Sequence, residues 1–140
     1  RDQSKDNAVF YVQYAHARCA SIITKAKENG LYLESLQRSD IDLSVLSTER
    51  EKKLIRKVCE WPRVVELSAF SHEPHRIVFY LYELSAEMHS FQHEGKLKKE
   101  LKVLSTDKGI AVARLSLVSA IQNVIRTGLD ILGVSPLTKM

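Results

Sequence analysis

Glycine and proline are scarce, with 5 and 3 in 140 residues, about half their usual share. Long uninterrupted elements are expected, and a turn-rich β-sandwich is disfavoured. Cysteine is nearly absent. Cys19 and Cys59 make neither a disulfide framework nor a metal-ligand spacing. No purely apolar run approaches the roughly 20 residues that span a bilayer; the longest is Ile77-Val-Phe-Tyr-Leu-Tyr82. The first seven residues are polar, which argues against a signal peptide. The missing initial Met points to a chain cut from something longer. A large charge excess is missing too: the net value of +4 does not by itself argue for a nucleic-acid partner.

What is present is globular. The chain is 44% hydrophobic and 27% charged, and a domain of this length buries roughly two-thirds of its unfolded surface without help from a metal or a disulfide. The charge surplus sits at the ends. Residues 1–30 carry five Lys/Arg against three Asp/Glu and residues 107–140 carry four against two, while both middle segments balance. A mildly basic face attracts a polyanion at long range, weakly and with strong salt dependence.

Five helices are expected in an all-α bundle. The first covers residues 6–29, capped by Asp6 and closed by Gly30. Residues 31–46 are a connector with at most a short helical turn. Thr48 and Glu51 have capping-box spacing ahead of Leu54, Ile55, Val58 and Trp61. Pro62 opens a short third helix through Val64, Val65, Leu67, Ala69 and Phe70. Pro74 opens a fourth with the stripe Leu81, Leu84, Met88, Phe91, stopped by Gly95. A charged and mobile connector occupies residues 94–106. The last helix, residues 110–132, is apolar at Leu115, Val118, Ile121, Val124, Ile125, Leu129 and Leu132. Gly128 within it suggests close packing, and Gly133 ends it. No internal repeat and no period-two strand pattern is visible.

No active site emerges. His89 and His93 are one helical turn apart, but Ser90 stands where a zinc protease has Glu and no third ligand is evident. His72 and His75 flank Pro74 and need not converge. Cys19, in an apolar-rich stretch, is expected to be a buried structural thiol. The glycines are too dispersed to form a phosphate loop. The informative stretch is the first helix, where Tyr11, Tyr14 and Arg18 share a face that Ile22 and Lys25 continue. One reading packs the tyrosines on a neighbouring helix and pairs Arg18 with an acid. The other makes them a stacking platform beside a cation, since unpaired bases stack on aromatic rings for roughly 1–3 kcal/mol each. Ala15, between the tyrosines, would let a base approach closely.

The run Asp6-Asn-Ala-Val-Phe-Tyr-Val-Gln-Tyr-Ala-His-Ala-Arg18 resembles the segment that leaves the catalytic domain of arginyl-tRNA synthetases, with Ala8 where the family usually has Pro. Pro74-His-Arg-Ile-Val-Phe-Tyr-Leu-Tyr-Glu-Leu-Ser-Ala-Glu-Met-His-Ser-Phe91 is similar to another of its helices. The stretch from Ala113 to Gly133, with the terminal Met140, is similar to its closing helix, although Ser119-Ala-Ile-Gln122 replaces the D-A-L-R that names the domain type.

The resemblance implies a carboxy-terminal anticodon-binding domain of a cytoplasmic, monomeric class I synthetase that joins arginine to tRNA(Arg) with ATP and Mg²⁺. The H-I-G-H and K-M-S-K-S-like signatures of nucleotide binding do not occur in these residues. The chain alone is therefore expected neither to activate arginine nor to charge tRNA. The resemblance also implies anticodon contacts at Tyr11, Tyr14 and Arg18, with Met140 as an apolar contact beside them. Gln92 stands where the family usually has an aromatic and keeps only hydrogen bonding, and Lys96 could supply a phosphate contact. A protein-binding helical module with a Tyr/Arg face is the alternative.

Overall fold

With so few breakers in the sequence, helices run long. The computed structural model describes residues 3–139, and side chains from Asn7 onward. It contains α1 (Gln3–Glu28), α2 (Glu49–Cys59), α3 (Trp61–Ser71), α4 (His75–Leu97) and α5 (Lys108–Ile131). Four single 3₁₀ turns join them, and no strand occurs among the described residues. The all-α, five-helix architecture is the expected one.

α4 is the hub and packs against each of the other four helices. Its stripe Leu81, Leu84, Met88 and Phe91 is buried, as are Leu115, Val118, Ile121, Ile125 and Leu129 of α5. α1 contributes Val12, Ala15, Cys19, Ile22 and Ala26 at steps of three and four. Small residues in that row let α1 lie close to α5. Cys19 is buried as expected, and burial pushes its thiol up to about 12. α5 is long and apolar enough to cross a membrane by length and composition, but 61% of its apolar window is buried inside the bundle. Its apolar content is that of a core helix.

Several expectations are corrected. α1 is already helical at Gln3, the first described residue, and no Gly or Pro interrupts residues 3–8, so Asp6 lies inside the helix and is not its cap. Residues 31–46 hold three 3₁₀ turns, Leu33–Ser35, Arg38–Asp40 and Leu43–Val45. Trp61 opens α3 rather than ending α2, and its ring stacks on Tyr80 at 5.5 Å. On α3, Phe70 is 88% exposed and Leu67 is exposed as well, so Val64 is among the few apolar residues there that reach the core. Pro74 is the N-cap of α4 and not part of its first turn.

Gly95 does not stop α4, which continues to Leu97. A Cβ there would stand 3.0 Å from the Leu101 carbonyl oxygen and 3.1 Å from Lys102 Cα. The glycine makes room for the chain that crosses over it. That chain, expected to be a mobile connector, is a packed strap with the 3₁₀ turn Lys99–Leu101 and Val103 buried. Gly128 does mark the close approach expected of it, since a Cβ would fall 2.6 Å from Leu81 Cδ1.

The strap is held by an ion pair between residues far apart in sequence. Thr48 and Glu51 form the expected capping box, with Glu51 N–H donating to Thr48 Oγ1 at 3.1 Å and Thr48 N–H to Glu51 Oε1 at 3.1 Å. Glu51 is also buried. Its Oε2 accepts from Arg114 Nε at 2.6 Å, and Arg114 Nη1 donates to the carbonyls of Glu100 at 2.9 Å and Lys102 at 2.7 Å. On the surface, α2 meets α4 through Arg50 with Glu87 and Glu94, Lys53 with Glu87, and Lys57 with Glu83.

Arg114→Met should lower stability by about 3–5 kcal/mol, because it leaves the Glu51 carboxylate buried and unpaired. Adding Glu51→Gln should recover part of that loss in urea melts. Gly128→Ala should cost about 1–3 kcal/mol through overpacking against Leu81; an unchanged urea midpoint would mean that Leu81 yields freely.

Candidate nucleic-acid interface

Packing α1 on α4 gathers the aromatic and cationic residues of both into one seam. Tyr11 is half-buried there, its ring centroid 4.6 Å from that of Tyr82 and 4.8 Å from that of His89. Burial and the neighbouring Tyr82 raise its pKa. One turn on, Tyr14 is 42% exposed and lies 5.7 Å from the His89 ring. The Arg18 guanidinium carbon sits 5.0 Å from the Tyr14 ring centroid, within cation–π range. Arg18 Nη1 donates to Gln92 Oε1 at 2.5 Å, and Nη2 to the Tyr14 hydroxyl at 3.4 Å. Tyr11 thus fits the packing reading of this face, and Tyr14 with Arg18 fits the platform reading.

Beyond Arg18 the line continues into a groove of about 340 Å³, floored by Ile22 and Val103 and rimmed by Lys25, Lys96 and Lys102. Gln92 also lines it and so joins the groove to Arg18. Among the described residues none of the three lysines is paired with a carboxylate. The seam is aromatic at one end and cationic at the other.

The structure brings Tyr11, Tyr14, Arg18 and Gln92 together. Lys96 lies one helical turn past Gln92, in the groove rather than against the tyrosines. Arg18 is held by an amide and not by an acid. Ala15 is fully buried in the core, so it offers no approach for a base. Met140 lies outside the described residues. Two members were missed, Tyr82 and His89. Their signal was available, since positions 82, 89, 92 and 96 follow one face of α4 at steps of seven, three and four.

His89 sits between the two tyrosines with Nε2 buried and no hydrogen-bond partner. Burial first, and the Arg18 cation second, hold its pKa below the usual histidine value of 6.5. The ring is therefore a neutral spacer that supports both tyrosines. No three His, Cys, Asp or Glu side chains converge as a metal site among the described residues.

A family model, the DALR anticodon binding domain, matches residues 12–140. The arginine–tRNA ligase of Ruegeria sp. (strain TM1040) is 46% identical over 140 residues, covering 99% of this chain and 24% of that protein. The solved arginyl-tRNA synthetase of Thermus thermophilus is 32% identical and superposes with a TM-score of 0.76, over 93% of this chain and 21% of its own. The Plasmodium falciparum arginyl-tRNA synthetase shares the fold at 19% identity, with a TM-score of 0.74. The chain spans about a quarter of the length of the curated relatives it matches.

The seam should respond to acid. The folded-state pKa of His89 lies below its unfolded value, as does that of His16, where burial dominates. Their contribution to stability is complete above the unfolded value of 6.5 and declines as pH falls below it. Thermal midpoints should drop between about pH 7.5 and about pH 5.5, and His89→Gln should flatten part of the drop. An identical pH profile in that variant would show that the ring is protonated in the seam without penalty.

Proposed function

The chain belongs to the DALR anticodon binding domain family, and from that premise we propose that the α1–α4 seam receives the anticodon loop of a tRNA. The observation that carries this reading is the exposed Tyr14 ring with the Arg18 guanidinium fixed over it by Gln92. An unstacked base finds a π-face there and a guanidinium donor beside it. Tyr11, stiffened by Tyr82 and His89, backs the platform. Lys96, with Lys25 and Lys102, offers phosphate contacts along the groove. Met140 is assigned an apolar contact at the edge of the same site.

In the same reading the whole protein ligates arginine to tRNA(Arg) with ATP and Mg²⁺, as a cytoplasmic monomer. Support comes from the relatives named arginine–tRNA ligase. The described residues do not fit ATP or Mg²⁺: no acidic or histidine cluster converges, and the two positive-φ glycines, Gly30 and Gly133, stand just past helix ends. This domain's part is to hold and orient the loop. Its neutral amide, cation and aromatic surface suits RNA whose bases are splayed out.

Binding of an anticodon stem-loop, followed by fluorescence anisotropy at two salt concentrations, tests the proposal. Affinity should fall with salt and exceed that for a scrambled loop. Arg18→Ala should weaken the matched loop by roughly tenfold, as expected for a charge-assisted contact, and narrow the preference. Lys96→Ala should weaken both loops alike and lower the salt slope by about one. Equal affinity for both loops would sink the anticodon reading.

A further inference from the structure

After Gly133 ends α5, the chain doubles back, and residues 134–139 return alongside α1. Two side chains of α1 meet this tail through its backbone. Gln13 Nε2 donates to the Ser135 carbonyl at 2.8 Å, and His16 Nδ1 lies 2.5 Å from the Leu137 carbonyl oxygen. A carbonyl can only accept, so His16 carries its proton on Nδ1. Its Nε2 is buried without a partner, and the whole side chain is 0% exposed. A fully buried imidazole given to one carbonyl of the tail has a positional purpose, because the described residues of that tail bury little. Val134 packs against the core, while Leu137, Thr138 and Lys139 are exposed.

The latched tail forms a second groove on the far flank of α1. It is bounded by Ser21 and Lys25 of α1, Gln122 and Arg126 of α5, and Thr138 and Lys139 of the tail, with Glu28 at its edge. Among the described residues, three cations and one carboxylate line it. Lys25 lines this groove and the one beside Gln92 as well, so one cation borders both. Lys25, near one end of the sequence, and Arg126 and Lys139, near the other, are brought to this groove by the packing of α1 on α5.

We propose that Gln13 and His16 are positioning residues that seat the tail so that Lys139, Lys25 and Arg126 together take the phosphate backbone of the bound RNA loop. This rests on the anticodon-loop reading above and adds a second contact surface to it. α1 is thereby gripped by RNA on both flanks, with bases on the α4 side and backbone on the tail side. The latch acts through the main chain, so it places the tail whatever side chains the tail carries.

Two measurements on the intact chain decide the matter separately. Backbone order parameters from NMR relaxation at Ser135 and Leu137 report the latch, and anticodon stem-loop affinity across a salt series reports its use. Gln13→Ala and His16→Ala should each lower those order parameters from near the rigid value of about 0.85 to below about 0.6, with helicity by circular dichroism unchanged. Both should weaken RNA binding by about 5- to 20-fold and lower the salt slope by about one, as Lys139→Ala alone also should. His16→Asn, which returns a donor near the Nδ1 position, should restore the order of the tail and most of the affinity. If His16→Ala unfolds the chain, Gln13→Ala and deletion of residues 135–140 carry the test. Unchanged order parameters in Gln13→Ala would overturn the latch. A released tail with unaltered affinity and slope would overturn its role toward RNA. A parent chain that binds no stem-loop would instead sink the anticodon reading and this use of the tail with it, leaving the order parameters to judge the latch alone.

Discussion

One buried guanidinium sets the geometry of this domain. Removing Glu51 and Arg114 from water costs several kcal/mol per ion, and the fold tolerates it only because both are multiply bonded. Glu51 accepts from the Thr48 amide and hydroxyl and from Arg114. Arg114 gives its two Nη1 donors to the carbonyls of Glu100 and Lys102. The pair therefore fixes the start of α2, the middle of the strap and the first half of α5 relative to one another. Each of those carbonyls would otherwise need a partner of its own. Because the strap is pinned there, Lys102 and Val103 arrive at the rim and floor of the cationic groove. The chain can pass that close to α4 only over a residue without a side chain, Gly95.

α1 serves three surfaces at once. Its small inward row packs on α5 and α4, its tyrosine–arginine row faces the seam, and its Gln13 and His16 hold the returning tail. A 3.6-residue repeat allows this, since adjacent residues point about 100° apart. Ala15 illustrates the point. It stands between two tyrosines in sequence and faces the core in space.

Much of this was legible in the sequence, for local reasons. The capping box at Thr48 and Glu51, the ends of α1 and α5 at Gly30 and Gly133, the stripes of α4 and α5, and the tight spot at Gly128 all follow from short-range rules. Helical spacing alone puts Tyr11, Tyr14 and Arg18 on one face, while joining Gln92 to them, and choosing between the two readings of that face, takes the family resemblance. What escaped was long-range. A glycine after an amphipathic run ordinarily ends a helix, and only the crossing strap reveals why Gly95 lies inside one. The strap is so rich in lysine that it resembled a solvated linker, and Arg114, from α5, is what orders it. His89 has metal-ligand spacing with His93, yet its neighbours are rings from another helix. Nothing local to His16 or Gln13 announces a tail more than a hundred residues away.

If the seam receives an unstacked base, as proposed, the hydrogen bond from Arg18 to Gln92 has a consequence for selectivity. A free arginine side chain carries about 2 kcal/mol of rotamer entropy, most of which a ligand must ordinarily quench. Here folding has already quenched it, by holding the guanidinium over Tyr14 with Nη1 on Gln92 and Nη2 on the Tyr14 hydroxyl. A base that meets the remaining donors as they stand binds a rigid partner at little further entropic cost. A base that needs the guanidinium elsewhere must first break its bond to the amide and lift it off the ring. Discrimination then arises less from what the arginine can reach than from what it would have to give up.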